Sequence, residues 1–280
     1  MNPTLRPPAV AGMFYPQSPA ALGREVADLL AHAREPTLTA KAVVAPHAGY
    51  VYSGATAAAV YASLAPRRAV IRRVVLLGPT HRVAVRGLAL PASIAFATPL
   101  GTIPVDQAAI AAIADLPQVV VSEAAHAQEH SLEVQLPFLQ CALDAFTLLP
   151  LAVGQASPGE VAEVLERLWG GPETLIVVSS DLSHYLPYDA ARATDADTAR
   201  RILALDPHID HQQACGATPL NGLLLAARRH GLQATQVDLR NSGDAGVNSA
   251  GDKSRVVGYG AFAFCAASAA PPPGGSAHAR

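Results

Sequence analysis

The chain has 280 residues, half of them hydrophobic and 15% charged, with 20 basic against 22 acidic side chains. It is too apolar for a disordered chain and long enough to bury a sizeable core. Its arginines pair only in scattered places such as Arg67–Arg68 and Arg200–Arg201, which leaves no basic footprint for nucleic acid.

Three cysteines, at 141, 215 and 265, are too sparse for a disulfide framework and fit a reducing compartment. The opening MNPTLRPPAVAGMFYP is broken by prolines and has no continuous apolar stretch of the secretory kind. The longest apolar run, Ala261–Ala270, is too short to span a bilayer. The expected location is the cytoplasm, with no membrane partner.

In chain order, a helix is expected over Pro19–Ala33, where Ser18 precedes a proline at the first helical position. The strand Ala42–Ala45 runs into His47 within PHAGYVYSG. Pro46 and Gly49 mark a tight turn there, around which Tyr50 and Tyr52 can pack. A helix over Ser53–Leu64 precedes the strand Arg73–Leu77, which runs through LLGPTH to His81. Strands follow over Gly87–Leu90 and Gln118–Ser122, either side of a helix over Asp106–Ala114. The run EHSLEVQLPFL opens a helix over Glu129–Ala142, with Glu129 and Glu133 on one face and Leu132, Leu136 and Leu139 on another. His130 can reach a pocket or cap that helix.

Next come the strand Thr147–Val153, a helix over Pro158–Leu168 behind the capping Ser157, and the strand Thr174–Ser179. That strand runs into SSDLSHY, where Asp181 lies three residues before His184. A carboxylate beside an imidazole fixes its tautomer and suits proton transfer. Equally, Ser180 or Asp181 can cap a helix. Helices over Asp189–Ala204 and Pro219–His230 flank Cys215, whose position ahead of a helix start would lower its thiol pKa. Strands over Thr235–Leu239 and Arg255–Phe264 close the domain, joined by the glycine-rich NSGDAGVNSAGD, read as an irregular connection. The tail 271–280, PPPGGSAHAR, is low in complexity and reads as disordered.

This alternation predicts an α/β fold: a single domain over 1–270, with a mostly parallel or mixed central sheet and helices on both faces. Three apolar strands end in a polar cluster with a histidine: His47, His81 and His184. In open α/β sheets, ligands bind beyond the carboxyl ends of the strands, so the three can converge if their strands are neighbours. A rival pattern lies at His126-Ala-Gln-Glu129-His130, which matches the inverted zinc-protease signature H-x-x-E-H. It needs both histidines on one helix around a zinc ion, with Glu129 as base.

Taken together, AGMFYP (11–16), APHAGYVYSG (45–54), LLGPTH (76–81), EHSLEVQLPFL (129–139), SSDLSHY (179–185), CGATP (215–219) and NSGD…VVGYGAF (241–262) resemble the Memo family, called AmmeMemoRadiSam system protein B in prokaryotes. The resemblance implies a fold related to LigB-type class III extradiol dioxygenases. It implies a metal pocket of His47, His81 and Cys215, with His184 in the place of a catalytic base supported by Asp181. Tyr50, Glu129 and His130 would lie around it. The implied cofactor is a divalent or redox metal, Fe2+ first, with copper or zinc as alternatives. A thiolate stands where non-haem iron dioxygenases use a carboxylate, so ring cleavage is not carried over. The implied function is a metal-dependent, redox-capable enzyme, or else a protein that binds a metal, a small molecule or a peptide without turnover. The family name also implies a link to a radical SAM protein and an AMMECR1-like protein.

Overall fold

The central strands carry apolar side chains on both faces, a pattern that only a sheet covered on both sides accommodates. The computed structural model describes residues 5–33, 38–244 and 252–267. In chain order its elements are β1 (Leu5–Arg6), α1 (Pro19–His32), β2 (Ala40–Ala45), α2 (Tyr50–Ala62), β3 (Arg73–Pro79), β4 (Leu88–Leu90), β5 (Ala95–Thr98) and β6 (Gly101–Pro104). There follow α3 (Gln107–Ala111), β7 (Val119–Val121), α4 (Glu123–Ala127), α5 (His130–Glu133), α6 (Leu136–Ala142), β8 (Thr147–Val153), α7 (Pro158–Leu168) and β9 (Thr174–Ser179). The last are β10 (His184–Leu186), α8 (Tyr188–Leu203), α9 (Ala217–Arg229), β11 (Leu232–Asn241) and β12 (Val256–Ala266).

Nine strands form one sheet in the order β10-β12-β2-β9-β3-β8-β4-β7, with β11 paired alongside β12. The centre, β2-β9-β3-β8, is parallel. Antiparallel pairings at β12–β2 and β4–β8 flank it, so the sheet is mixed. Alternate residues feed two cores. Val43, Val74, Leu76 and Val177 face one that includes α1, α2 and α6. Val44, Val75, Leu77 and Val178 face the other, which includes α7 and α9. The α/β fold with helices on both faces is therefore as expected. Residues 271–280 and most of the glycine-rich connection, 245–251, lie outside the described residues.

Local differences have physical causes. The helix expected over Glu129–Ala142 is two helices, because Pro137 sits at the start of α6 and cannot donate its amide to the preceding turn. Glu129 is not inside a helix but at the N-cap of α5, accepting from the Ser131 amide. Glu129 and Glu133, expected on the polar face of one helix, are both buried. Glu133 pairs with Arg6 and accepts hydrogen bonds from the Ala9 and Val10 amides and the Tyr15 hydroxyl. A small sheet, β1-β5-β6, carries Arg6 into that place; its strands of two to four residues leave no readable periodicity. Among the described residues, no helix is long and apolar enough to cross a membrane.

Arg6 also donates to the carbonyls of His126 and Glu129, so one buried guanidinium clamps the segment that carries α4 and α5. Arg6→Ala would leave a buried carboxylate unpaired and should cost about 3–5 kcal/mol in chemical denaturation. A loss below about 1 kcal/mol, the scale of an exposed ion pair, would contradict this role.

Candidate metal centre

His47 follows β2, His81 follows β3, and the segment Ser180–His184 follows β9. In the sheet β9 lies between β2 and β3, so three consecutive parallel strands deliver these residues to one edge. The strands are neighbours as required, but only two of the three expected histidines meet, and His130 takes the place of His184 in the cluster. The His47 and His81 rings are 5.2 Å apart, and His130, at the start of α5, lies 5.4 Å from His47 and stacks on His81 at 4.5 Å. Ligand atoms of His47, His81 and His130 lie within 4.8 Å of one another, so this triad can hold a metal ion. Cys215 is not in that group, but its Sγ lies 3.3 Å from His47 Nε2.

Hydrogen bonds set the tautomers. Ser179 Oγ gives its single proton to the Ser131 carbonyl at 2.6 Å and accepts from Gln135 Nε2 at 2.8 Å. Towards His47 Nδ1, 2.8 Å away, it can therefore only accept. His47 is thus protonated on Nδ1, with the Nε2 lone pair turned to the shared space. Gln135 is itself fixed, accepting from the Tyr61 hydroxyl and donating to the Pro46 carbonyl. His81 Nδ1 donates to Glu129 Oε1 at 2.8 Å, and the other carboxylate oxygen accepts the His81 amide at 2.6 Å. In the neutral tautomer of His81 the lone pair therefore lies on Nε2. A carboxylate or hydroxyl behind each ring is the usual support of a metal-binding histidine.

Burial would raise the Glu129 carboxyl, but the His81 ring, with the Ser131 and His81 amides, holds it down to about 2. Burial, with the neighbouring imidazoles adding, holds His47 well below the usual histidine range. Burial and the nearby His81 bring His130 down to about 4. Neutral imidazoles are what a metal requires. The expectation of a lowered thiol pKa at Cys215 is not met: burial, with the Asp181 carboxylate adding, pushes it up to about 12. Its helix start at Gly216 is already used, since Ser180 Oγ accepts the Gly216 amide. A Cβ on Gly216 would lie 2.7 Å from Ser180 Cβ, so the thiol can sit this close to the end of β9 only beside glycine.

Asp181 and His184 do not form the expected pair. Asp181 Oδ1 accepts the His47 amide at 2.7 Å, while His184 Nδ1 donates to the Leu182 carbonyl at 2.8 Å. No helix starts there for Ser180 or Asp181 to cap; His184 opens β10 instead. Burial lifts the Asp181 carboxyl to about 7 and lowers His184. Both line a cavity of about 680 Å³ with Phe14, Tyr52, His130 and Tyr259. Tyr50 is not in its wall; it is buried in α2, donating to the Val134 carbonyl, and Tyr52 takes the place at the cavity. Ser179, Gln135 and Arg6 were not legible as site residues. Their only sequence signal is polarity at positions that end or interrupt apolar runs.

The zinc-protease pattern does not assemble. His126 and His130 lie on separate helices, with Gln128 and Glu129 non-helical between them. His126 is fully buried with its Nε2 on the Ala89 carbonyl. Burial lowers its pKa to about 4. Between pH 6.5 and 4 the unfolded chain therefore takes up a proton that the folded ring refuses, and stability falls as pH falls through that window. The residue's share is on the order of 3 kcal/mol. His126→Gln should flatten the acid side of the thermal-midpoint profile, and an unchanged profile would contradict the assignment.

Comparison with known proteins identifies the family. The family model described as Memo-like protein matches residues 6–263. A MEMO1 family protein of Archaeoglobus fulgidus is 35% identical, covering 93% of this chain and 99% of its own. One of Methanosarcina barkeri is 38% identical, covering 92% and 99%. Among solved structures, an uncharacterized protein of Escherichia coli K12 gives a TM-score of 0.48 at 16% identity, covering 78% of this chain and 98% of that one. With the family model and both relatives spanning nearly its whole length, the chain belongs to the Memo-like protein family.

Proposed function

We propose that the cluster is a transition-metal centre in which His47, His81 and Cys215 bind the ion, with His130 as a further donor within reach. The observation that carries this is the fixing of both Nδ1 atoms from behind, which leaves His47 Nε2 facing Cys215 Sγ at 3.3 Å. That separation suits two donors sharing one ion at bond lengths of about 2.1 Å to nitrogen and 2.3 Å to sulfur. Neutral imidazoles with a thiolate suit iron(II), copper and zinc and disfavour magnesium and calcium. Family resemblance puts iron(II) first and copper second. When bound, such an ion supplies Lewis-acid or one-electron chemistry.

In the large cavity His184 is the proton-handling group. Its Nδ1–H is held by the Leu182 carbonyl, so Nε2 is free to take a proton from a bound molecule. Asp181 holds the His47 amide and so positions the ligand loop. A second reading, a binding protein that holds a peptide end without turnover, is favoured by the exposed Tyr52 and Tyr185 at the cavity wall.

Anaerobic purification with elemental analysis tests the centre. Wild type should carry about one ion per chain, while His47→Ala and His81→Ala should lose most of it. His184→Ala and His126→Gln should retain it. Equal metal content in His81→Ala and wild type would refute the site. A thiol that is protonated at neutral pH must release its proton on binding. Cobalt(II) affinity of the metal-free protein should therefore rise roughly tenfold per pH unit between pH 6 and 8, a slope that Cys215→Ser loses.

A further inference from the structure

The cluster lies at the border of two cavities that have no lining residue in common. The large one covers the ends of β2 and β9 and the start of β12, through Ala48, Tyr52, Asp181, His184 and Tyr259. A smaller one, of about 450 Å³, covers the ends of β3 and β8. His81 and Cys215 open into this second cavity, whereas His130 opens into the first. The sheet order explains the division: β9 and β3 are neighbours, and the cluster stands over the line between them.

The two cavities differ in chemistry. Asp181, Asp252 and Arg255 put formal charge into the wall of the large one. The small one is walled by Pro79, Ala84, Val85, Val153 and Ala156, with His211 and Thr218 beside Cys215, and among the described residues no carboxylate, ammonium or guanidinium group lines it. His211 is exposed and its Nε2 lies 3.2 Å from Thr218 Oγ1, so the two side chains span the first turn of α9 next to the thiol. An uncharged ligand loses less solvation than an ion on entering such a wall.

We infer that the small cavity is a second ligand subsite of the centre, taking an uncharged molecule to the Cys215–His81 side. The large cavity keeps a polar ligand on the His130–His184 side. The centre is thus built to bring two molecules together from separate entrances. This rests on the metal-centre proposal for its purpose, but the route itself is a property of the metal-free chain.

The test is alkylation of Cys215 in the metal-free full chain by iodoacetamide, read by mass spectrometry with Cys141 and Cys265 as internal references. Ala84 is exposed and lines the small cavity, so Ala84→Trp should slow Cys215 labelling tenfold or more. Arg255 is exposed and lines the large one, so Arg255→Trp should leave the rate within twofold. Opening the mouth with His211→Ala should raise the rate at least threefold, which keeps the test decisive if Ala84→Trp folds poorly. Iodoacetate, of similar size but anionic, should be disfavoured at Cys215 at least tenfold more than at Cys141. An unchanged rate in His211→Ala, a fall in Arg255→Trp, or equal iodoacetate discrimination at both cysteines would overturn the inference. Failure of the metal centre would show separately, as absent cobalt(II) binding with this labelling pattern intact.

Discussion

One buried carboxylate joins the parts of this site. Glu129 accepts both the amide and the ring Nδ1–H of His81, caps α5 through the Ser131 amide, and lies 3.4 Å from His130 Nδ1. It thereby ties the end of β3 to the start of the helix that carries His130. A carboxylate in this position is costly to bury unless its lone pairs are filled. Here three hydrogen-bond donors fill them, and the charge holds the ring proton of His81 on Nδ1, the side that faces Glu129. Arg6 reinforces the arrangement from behind by holding the Glu129 carbonyl rather than its side chain.

His47 is fixed by a different chemistry with the same result. A neutral chain, Tyr61 to Gln135 to Ser179, reaches its Nδ1 from the apolar side of the sheet. Each member has its donors and acceptors assigned by its neighbours, which leaves one permitted orientation for the ring. One imidazole is therefore backed by a charge and the other by a neutral hydroxyl. The partly exposed His81 sits against the carboxylate, and the fully enclosed His47, held neutral by burial, sits against the hydroxyl.

Much of this was legible in the sequence, for definite reasons. Alternating apolar runs and Ser–Pro helix starts marked the parallel core, and α7 falls on Pro158–Leu168 as expected. Strand-end histidines marked the ligand edge, because a polar group after a buried strand has few other places to go. The partners behind them were not legible. Ser179 meets His47 from 132 residues away in the chain, Gln135 meets Ser179 across 44, and Arg6 meets Glu133 across 127. No local pattern records such pairings. The proximity of Asp181 and His184 in sequence was misleading, because the backbone between them turns the carboxylate to the His47 amide. The thiol was misjudged because burial outweighs the nearby helix start.

The fold thus brings His47 and His81 from two strand ends and His130 from a helix start to one point, with a separate cavity on either side of it. The most direct measurement is an anomalous difference map from crystals grown anaerobically with iron(II) or cobalt(II). A single peak is predicted, within bonding distance of His47 Nε2, His81 Nε2 and Cys215 Sγ. A peak at His126, or one that touches only surface histidines such as His208 or His230, would contradict the account.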